Sequence, residues 1–154
     1  MMTLDETNLI FRPIKKTDIN RVYELETLCF RTPWSKNALE SELKNDAAHY
    51  IVCETDGVVV AYAGMWAILD EAHVTNVAVA PNMRRRGLGK AIMLRLMQCA
   101  LDIGAASMTL EVRTSNVAAQ SLYASLGFKK AGVRRKYYSD TGEDAWILWN
   151  ENIK

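Results

Sequence analysis

Cysteine and histidine are scarce in this sequence, which has three of the first and two of the second among 154 residues. The cysteines, Cys29, Cys53 and Cys99, are far apart, odd in number and not part of any CxxC pair. A structural zinc site needs clustered ligands at short spacing, and a disulfide framework needs paired cysteines. We therefore expect no metal site and no disulfide framework, and interpret the cysteines as small buried residues in a reducing compartment.

Long hydrophobic runs and an excess of charge of one sign are also missing. No apolar segment approaches the roughly 20 residues that span a bilayer, and the polar, acidic start, Met1–Asn8, lacks the features of a signal peptide. Nineteen Lys and Arg against 18 Asp and Glu give a formal net charge of +1, whereas dedicated nucleic-acid binders are strongly basic. The sequence therefore predicts a cytoplasmic monomer or weak dimer that binds neither nucleic acid nor membrane directly.

What is present fits one α+β domain over residues 1–154, because this length can bury a single core. Asp56-Gly57 between two β-type runs predicts a hairpin, and the run Ala72–Val79 is so rich in apolar and small residues that it should be a central strand. The predicted elements are a strand at 9–13, a helix over 19–29 capped by Thr17 and Asp18, a helix to 43 capped by Ser35, strands at 49–54, 58–66 and 72–79, a helix from 88 ending at Gly104, a strand at 108–112, a helix to 126 capped by Ser115 or Asn116, and strands at 131–138 and 145–150.

A loop rich in arginine and glycine, 81–90, joins the central strand to the long helix. The first N–H groups of a helix lack partners and its dipole favours negative charge there, so such a loop suits an anion. Gly87 and Gly89 would let the backbone approach the anion closely, and four cations surround them: Arg84, Arg85, Arg86 and Lys90. A solvated turn and a nucleic-acid patch remain alternatives, although no interleaved aromatic residues support base stacking. The P-loop and dinucleotide fingerprints are absent, so the anion should be neither a nucleoside triphosphate nor NAD.

The segment RRRGLG, residues 84–89, resembles the (Q/R)xxGx(G/A) motif of the GNAT acetyltransferase family, which binds the pyrophosphate of acetyl-coenzyme A in that family. Residues 76–79 resemble the family's bulged central strand, and residues 110–128 resemble its motif LEVRxSNxxAxxLYxxLGF. The resemblance covers essentially the whole chain. It implies acetyl-coenzyme A as cosubstrate, no metal, and a mostly antiparallel sheet of about seven strands, splayed between the fourth and fifth and flanked by about four helices.

Shorter segments are similar to one branch of that family, the ribosomal-protein-alanine N-acetyltransferases: residues 33–35, 70–72, 134–138 and 142–145. Members of this branch acetylate the N-terminal alanine of a small-subunit ribosomal protein, and archaeal relatives acetylate many protein N-termini. The resemblance thus implies acetyl transfer to the α-amino group of a protein N-terminus, with a ribosomal protein as the leading substrate. A broader N-terminal or lysine acetyltransferase and a non-catalytic acyl-coenzyme A-binding module are the alternatives.

Two catalytic roles follow from the resemblance. Glu111 resembles the proton acceptor of the branch, acting through a water, and Tyr123 resembles the general acid that protonates the departing thiolate. An α-amino group has a pKa near 8, so a modest base is enough, and a phenol near pKa 10 can donate to a thiolate of comparable basicity. On the residues alone, Glu111 could instead be a strand-end carboxylate paired with Arg113, and Tyr123 a core aromatic.

The resemblance also implies binding residues. For the cofactor these are the basic loop, Asn116 and the central strand, whose backbone N–H groups would polarise the carbonyl: Val77, Ala78, Val79, Arg84, Arg85, Arg86, Gly87, Leu88, Gly89, Lys90 and Asn116. For the peptide substrate they are Trp34, Glu71, Tyr137 and Tyr138. Trp34 could equally be a core residue, and Glu71 or Asp70 would attract a basic residue after the terminal alanine. Tyr137 and Tyr138 are adjacent on a strand, so only one should face the groove.

Overall fold

The computed structural model describes residues 8–153, so the acidic start on which the signal-peptide interpretation depends lies almost wholly outside it. In this range the chain forms seven strands and four α-helices. They are β1 (Ile10–Pro13), α1 (Ile19–Cys29), α2 (Lys36–Glu42), β2 (Ala48–Thr55), β3 (Val58–Ile68), β4 (Glu71–Val79), α3 (Leu88–Asp102), β5 (Ser107–Arg113), α4 (Val117–Ser125), β6 (Lys129–Tyr138) and β7 (Glu143–Asn150). The predicted order of elements is confirmed.

All seven strands belong to one sheet, in the order β1-β2-β3-β4-β5-β7-β6. Neighbouring strands are antiparallel except β4 and β5, which are parallel. The parallel pairing holds for only three residue pairs, from Glu71 with Ser107 to His73 with Thr109. Beyond His73, no strand in the described range pairs with this edge of β4, and the predicted splay between the fourth and fifth strands is confirmed.

A bulge in the central strand marks the place where the splay begins. On its other side, β4 pairs with β3 throughout, but Val74 lies opposite Met65 and Asn76 lies opposite Gly64, so Thr75 is an extra residue. An extra residue bends the bulged strand and increases its twist. β4 therefore turns away from β5 directly after its paired segment.

The helices cover both faces of the sheet and form two buried clusters. On one face α3 buries Leu88, Ile92 and Leu96 against apolar residues of β3, β4 and β5. On the other face α1 and α2 bury a smaller cluster around Leu25, Leu39 and Tyr62. The central strand lies between these layers, which fixes its position relative to the helices.

Two of the predicted helix caps are confirmed and one is wrong. Oγ of Ser35 accepts a hydrogen bond from Ala38 N at 3.0 Å, and Oδ1 of Asn116 accepts one from Ala119 N at 3.1 Å. Asp18 does not cap α1. Its carboxylate instead binds both Nη atoms of Arg12, at 2.7 and 2.9 Å, because a bidentate charge-assisted pair is stronger than a single cap bond. Arg12 holds the pKa of Asp18 below its usual value.

The cysteines only partly follow the prediction. Cys53 is buried, whereas Cys29 and Cys99 are partly exposed, and all three thiols are free. Burial raises the pKa of the Cys53 thiol to about 11.

Gly64→Ala is expected to destabilise the fold. A Cβ at Gly64 would overlap the buried ring of Tyr50, whose hydroxyl is hydrogen bonded to Thr75 at 2.9 Å. Such overpacking costs about 1–3 kcal/mol of the free energy of unfolding, measured by urea denaturation. Gly132→Ala is the matched control, because its Cβ would meet only Ile147 Cδ1 at 3.6 Å. Equal stability of the two variants would contradict the prediction.

Candidate active site

A cavity of about 650 Å³ opens where β4 and β5 diverge. Its walls come from the splayed strands, α4, the connection between α1 and α2, and the β6–β7 turn. Six of the residues predicted from the sequence line it together: Trp34, Val77, Glu111, Asn116, Tyr123 and Tyr138. Residues that are up to 104 positions apart in the chain thus share one space.

Glu111 lies on β5 in a nearly enclosed position, with its side chain 9% exposed. Its Oε2 is 2.7 Å from Nε2 of His73, and its Oε1 is 3.3 Å from Nε of Arg134. Burial alone would raise the pKa of Glu111, but the hydrogen bond from His73 and the charge of Arg134 outweigh it and lower the pKa. The alternative partner is not used, since Arg113 binds Asp140 at 2.8 Å.

Tyr123 lines the same cavity from α4. Its ring is buried and packs edge-on against Phe128, with ring centroids 5.8 Å apart. Burial raises the pKa of Tyr123 to about 12, so the phenol stays protonated at neutral pH. This widens the gap from an ordinary thiol near 8.5. The buried phenol is thus a weaker acid than an ordinary tyrosine near pKa 10.

A buried polar network forms the floor of the cavity beside α1. The carboxyl group of Glu26, which is 1% exposed, accepts hydrogen bonds from the Tyr62 hydroxyl, from Nδ2 of Asn76 at 2.7 Å and from the backbone N–H of Trp34 at 3.0 Å. The network joins α1 to the bulged strand and to the α1–α2 connection. Sequence reasoning missed Glu26, although its spacing of four residues from Val22 places it on the apolar face of the helix.

Only one of Tyr137 and Tyr138 lines the cavity, as predicted, but the two rings do not point to opposite sides of β6. Their ring centroids are 5.0 Å apart in an edge-on contact. The reason is a second bulge, in which Lys136 adopts a φ of +50° and its N–H donates to Asp144 Oδ1. Only Tyr138 lines the cavity, and the ring of Tyr137 lies outside it.

The basic loop does not line the cavity, and its two glycines lie where α3 begins. Gly87 has a φ of +80° directly before the helix, and no atom lies within 4 Å of where its Cβ would be. A Cβ at Gly89 would lie 3.5 Å from Leu122 of α4 and 3.9 Å from Val79 of β4. The absence of a side chain at Gly87 is thus explained by backbone conformation rather than by packing.

The positive charge of this loop is not neutralised within the part of the chain that the structure describes. None of its four cations lies within 4 Å of a carboxylate there. Arg84 donates from Nε to the carbonyl of Val79 at 3.3 Å, and Nη1 of Arg86 lies 3.8 Å from the Met83 sulfur. The start of α3 therefore presents free helical N–H groups and unpaired positive charge together.

Other predicted residues lie outside the cavity. Glu71 is exposed at the start of β4, in the paired segment of the splayed strands. Ala78 is buried in the cluster under α1 and α2.

Sequence reasoning missed the two partners of Glu111, which are His73 and Arg134. Their contact with Glu111 depends on strand pairing that the sequence does not display.

Two further findings concern the range 8–153. It contains no cluster of three or more His, Cys, Asp or Glu side chains arranged for a metal ion. Of the helices in this range, none has the length and apolar character that a membrane crossing requires.

Comparison with known proteins gives consistent matches. The model of the acetyltransferase (GNAT) family matches residues 19–128. A Bacillus subtilis (strain 168) protein, provisionally named a [ribosomal protein bS18]-alanine N-acetyltransferase, is 39% identical over 94% of this chain and 96% of its own. The [ribosomal protein bS18]-alanine N-acetyltransferase of Escherichia coli (strain K12) is 38% identical over 88% of this chain and 92% of its own. The crystal structure of the Escherichia coli ribosomal-protein-S18-alanine N-acetyltransferase superposes with a TM-score of 0.85 at 36% identity, covering 92% of each chain.

Proposed function

Because the chain belongs to the acetyltransferase (GNAT) family, we propose that it transfers the acetyl group of acetyl-coenzyme A to the N-terminal alanine of ribosomal protein bS18. The observation that supports this most directly is that Glu111 and Tyr123 line one cavity from two different elements. The substrate is taken from the relatives named above. We also propose that residues 1–154 act as a single domain, and a ribosomal substrate predicts a cytoplasmic location.

The residues around the splay fit acetyl-coenzyme A. The free N–H groups at the start of α3, with the cations at 84–86 and Lys90, suit its pyrophosphate. The unpaired edge of β4 over residues 77–79 offers backbone groups to the pantetheine arm, as an added strand would use them. An N–H group of this edge would polarise the thioester carbonyl. The bound thioester supplies the acetyl group that is transferred.

The substrate amine would approach from the side of Trp34 and Tyr138, next to Glu111. An α-amino group has a pKa of 7.7–8.0, so a substantial fraction is neutral at pH 7.5, whereas a lysine side chain near 10.4 is almost fully charged. The proton that leaves the amine as the new C–N bond forms has to be accepted close by. We assign that acceptance to the pair of Glu111 and His73, whose contact distance is 2.7 Å.

Tyr123 would act on the leaving group. A protonated phenol in a water-poor position can donate a hydrogen bond to the sulfur as negative charge develops there. Asn116 holds the start of α4 through its cap, which fixes the helix that carries Tyr123. In this arrangement the amine takes the acetyl group directly from the thioester, without a covalent intermediate on the protein.

The first experiment offers the purified protein acetyl-coenzyme A and two peptides, and locates any added acetyl group by mass spectrometry. One peptide begins with alanine followed by arginine, and the other has a blocked N-terminus and an internal lysine. Acetylation of the free alanine alone is expected. Acetylation of the lysine would favour a broader acetyltransferase, and binding of acetyl-coenzyme A without transfer to either peptide would favour a non-catalytic module.

Gly87→Val is expected to weaken binding of acetyl-coenzyme A at least about tenfold, measured by isothermal titration calorimetry. A β-branched residue is strained at a φ of +80°, so the start of α3 would shift, and the new side chain would fill the open approach. Gly104→Val is the matched control at the other end of the same helix, with a φ of +94° and equally open surroundings. Equal affinity in the two variants would contradict a binding role for Gly87.

A further inference from the structure

The turn between β6 and β7, residues 139–142, carries part of the cavity wall. Tyr138 and Glu143 at its two ends and Thr141 within it line the cavity. Its own hydrogen bonds are local, since Gly142 N donates to the carbonyl of Tyr138 at 2.8 Å and Glu143 N to Oγ1 of Thr141 at 3.2 Å. The register of the β6–β7 ladder is broken just before Tyr138. Contacts from outside the hairpin therefore contribute to the position of this turn.

Arg113, the last residue of β5, makes such contacts and also lines the cavity. Its Nη1 donates to Oδ1 of Asp140 at 3.1 Å and its Nη2 to Oδ2 at 2.8 Å. Nη1 lies 3.6 Å from Oε1 of Glu143, and the guanidinium carbon lies 4.0 Å from the centre of the Tyr138 ring. A guanidinium can bind a carboxylate with two parallel hydrogen bonds and stack on an aromatic face. One side chain thus contacts both the turn and the ring that lines the cavity.

Glu143 connects the same turn to α4. Its Oε2 accepts hydrogen bonds from Ser115 N at 2.7 Å and from Oγ1 of Thr114 at 3.2 Å. These two residues directly precede Asn116, whose side chain caps α4. Arg113 and Glu143 together therefore join the end of β5, the β6–β7 turn and the start of α4.

We propose that Arg113 is a positioning residue for the peptide substrate, because it holds Tyr138 and the β6–β7 turn as a preformed wall of the cavity. This deepens the proposed function and rests on it. A wall that is already ordered loses less conformational freedom when the peptide binds, so the peptide binds more tightly.

The contacts of Arg113 separate this role from the chemical step. Its side chain bonds to the turn and not to Glu111 or Tyr123, the two residues to which the transfer is assigned. Loss of the side chain should therefore weaken peptide binding and leave the rate of transfer from the full complex little changed. A change of this kind raises KM at a nearly constant kcat.

The test measures steady-state kinetics of Arg113→Ala, Asp140→Ala and the double variant with the peptide that begins with alanine. For Arg113→Ala we expect the KM for the peptide to rise about tenfold, the kcat to stay within about threefold, and the Kd for acetyl-coenzyme A to stay within about twofold of the wild type. Asp140→Ala should raise the KM less, since Arg113 keeps its contacts with Tyr138 and Glu143. The double variant should be no worse than Arg113→Ala, because both changes remove the same ion pair.

Arg135→Ala is the matched control. Arg135 is an exposed cation on the same hairpin and forms no ion pair with any residue in the range 8–153. Its replacement removes the same charge without changing the contacts of the turn, so the KM for the peptide should equal that of the wild type.

Hydrogen exchange tests the contacts of Arg113 without depending on the reaction. In protein without substrates, the backbone amides of residues 138–143 should exchange at least about tenfold faster in Arg113→Ala than in the wild type, while those of α3 stay unchanged. Faster exchange confined to the turn would show that Arg113 holds it in place.

Three results would overturn the proposal. They are a peptide KM in Arg113→Ala within about twofold of the wild type, an equal loss of affinity for acetyl-coenzyme A and for the peptide, and unchanged exchange in the turn. Wild-type protein that leaves the alanine peptide unmodified would overturn the proposed function, and the role of Arg113 in peptide binding with it. The two failures are distinguishable because only the second is seen in the wild type.

Discussion

Replacing Tyr123 with phenylalanine is expected to lower kcat for acetyl transfer about 100-fold, while the affinity for acetyl-coenzyme A stays within about twofold. A hydrogen bond to a charged group contributes about 1.5–3 kcal/mol, and the upper part of that range corresponds to a factor of 100 in rate. The pKa of Tyr123 is raised to about 12, roughly 3.5 units above an ordinary thiol near 8.5. In the proposed mechanism the phenol therefore donates a hydrogen bond to the developing thiolate.

Phenylalanine preserves the packing of this position. The edge-on contact with Phe128 involves only the rings, so the melting temperature of Tyr123→Phe should equal that of the wild type. Phe128→Leu is the complementary control, because it removes the ring contact and keeps the hydroxyl. It should lower stability with little effect on kcat. Steady-state kinetics at saturating peptide measures kcat. A Tyr123→Phe enzyme that retains more than about a third of the wild-type kcat would exclude Tyr123 as the donor to the leaving group.

Replacing Glu26 with alanine is expected to lower the free energy of unfolding by about 3–5 kcal/mol. Its carboxyl group accepts hydrogen bonds from Tyr62, Asn76 and Trp34 in a position that is 1% exposed. Each buried donor left without a partner costs about 1–3 kcal/mol, and the side chain leaves a cavity as well. Urea denaturation with an unchanged m-value measures the loss.

Glu24→Ala provides the matched control on the same helix. Glu24 is exposed and pairs with Arg21 one turn away, and surface pairs of this kind contribute at most about 1 kcal/mol. Glu26→Gln should fall between the two, since an amide keeps the shape and one acceptor oxygen. A loss below about 1 kcal/mol in Glu26→Ala would show that the three donors find other partners.

The fold could be predicted from the sequence largely because its signals are local. The hairpin at Asp56-Gly57, the caps by Ser35 and Asn116 and the end of α3 at Gly104 each depend on residues within one turn of each other. The single sheet of about seven strands and its splay came instead from the resemblance to a known family.

Several features could not be predicted because they depend on distant partners. Helical spacing places Leu28 with Leu25 on an apolar face of α1, but Leu28 is 55% exposed, and Glu26 is buried instead. Hydrophobicity alone predicts that a charged residue is exposed, but Glu26 is buried against donors on β3, on β4 and in the α1–α2 connection. The bulge beneath Tyr137 depends in the same way on Asp144, which lies on the next strand.

In the candidate site, too, the residues with a local sequence signal were predicted and those that depend on distant partners were not. Glu111 and Tyr123 were identified from one continuous motif, and their roles stay predictions. His73 stands 38 residues before Glu111, and a lone histidine in a strand carries no signal of its own. Its contact with the carboxylate follows from the pairing of two parallel strands, which form through a long crossover and leave no short-range pattern.

The short β4–β5 ladder has a mechanical consequence. On either side of it, β1–β4 and β5–β7 form antiparallel ladders, and in the described range the β4–β5 ladder that joins them is three residue pairs long. Backbone hydrogen bonds resist changes in the spacing of strands, but beyond His73 none of them crosses this gap. In the described range, the spacing of the two halves beyond His73 is therefore set by packed side chains, such as those of the cluster under α3, rather than by backbone hydrogen bonds between β4 and β5.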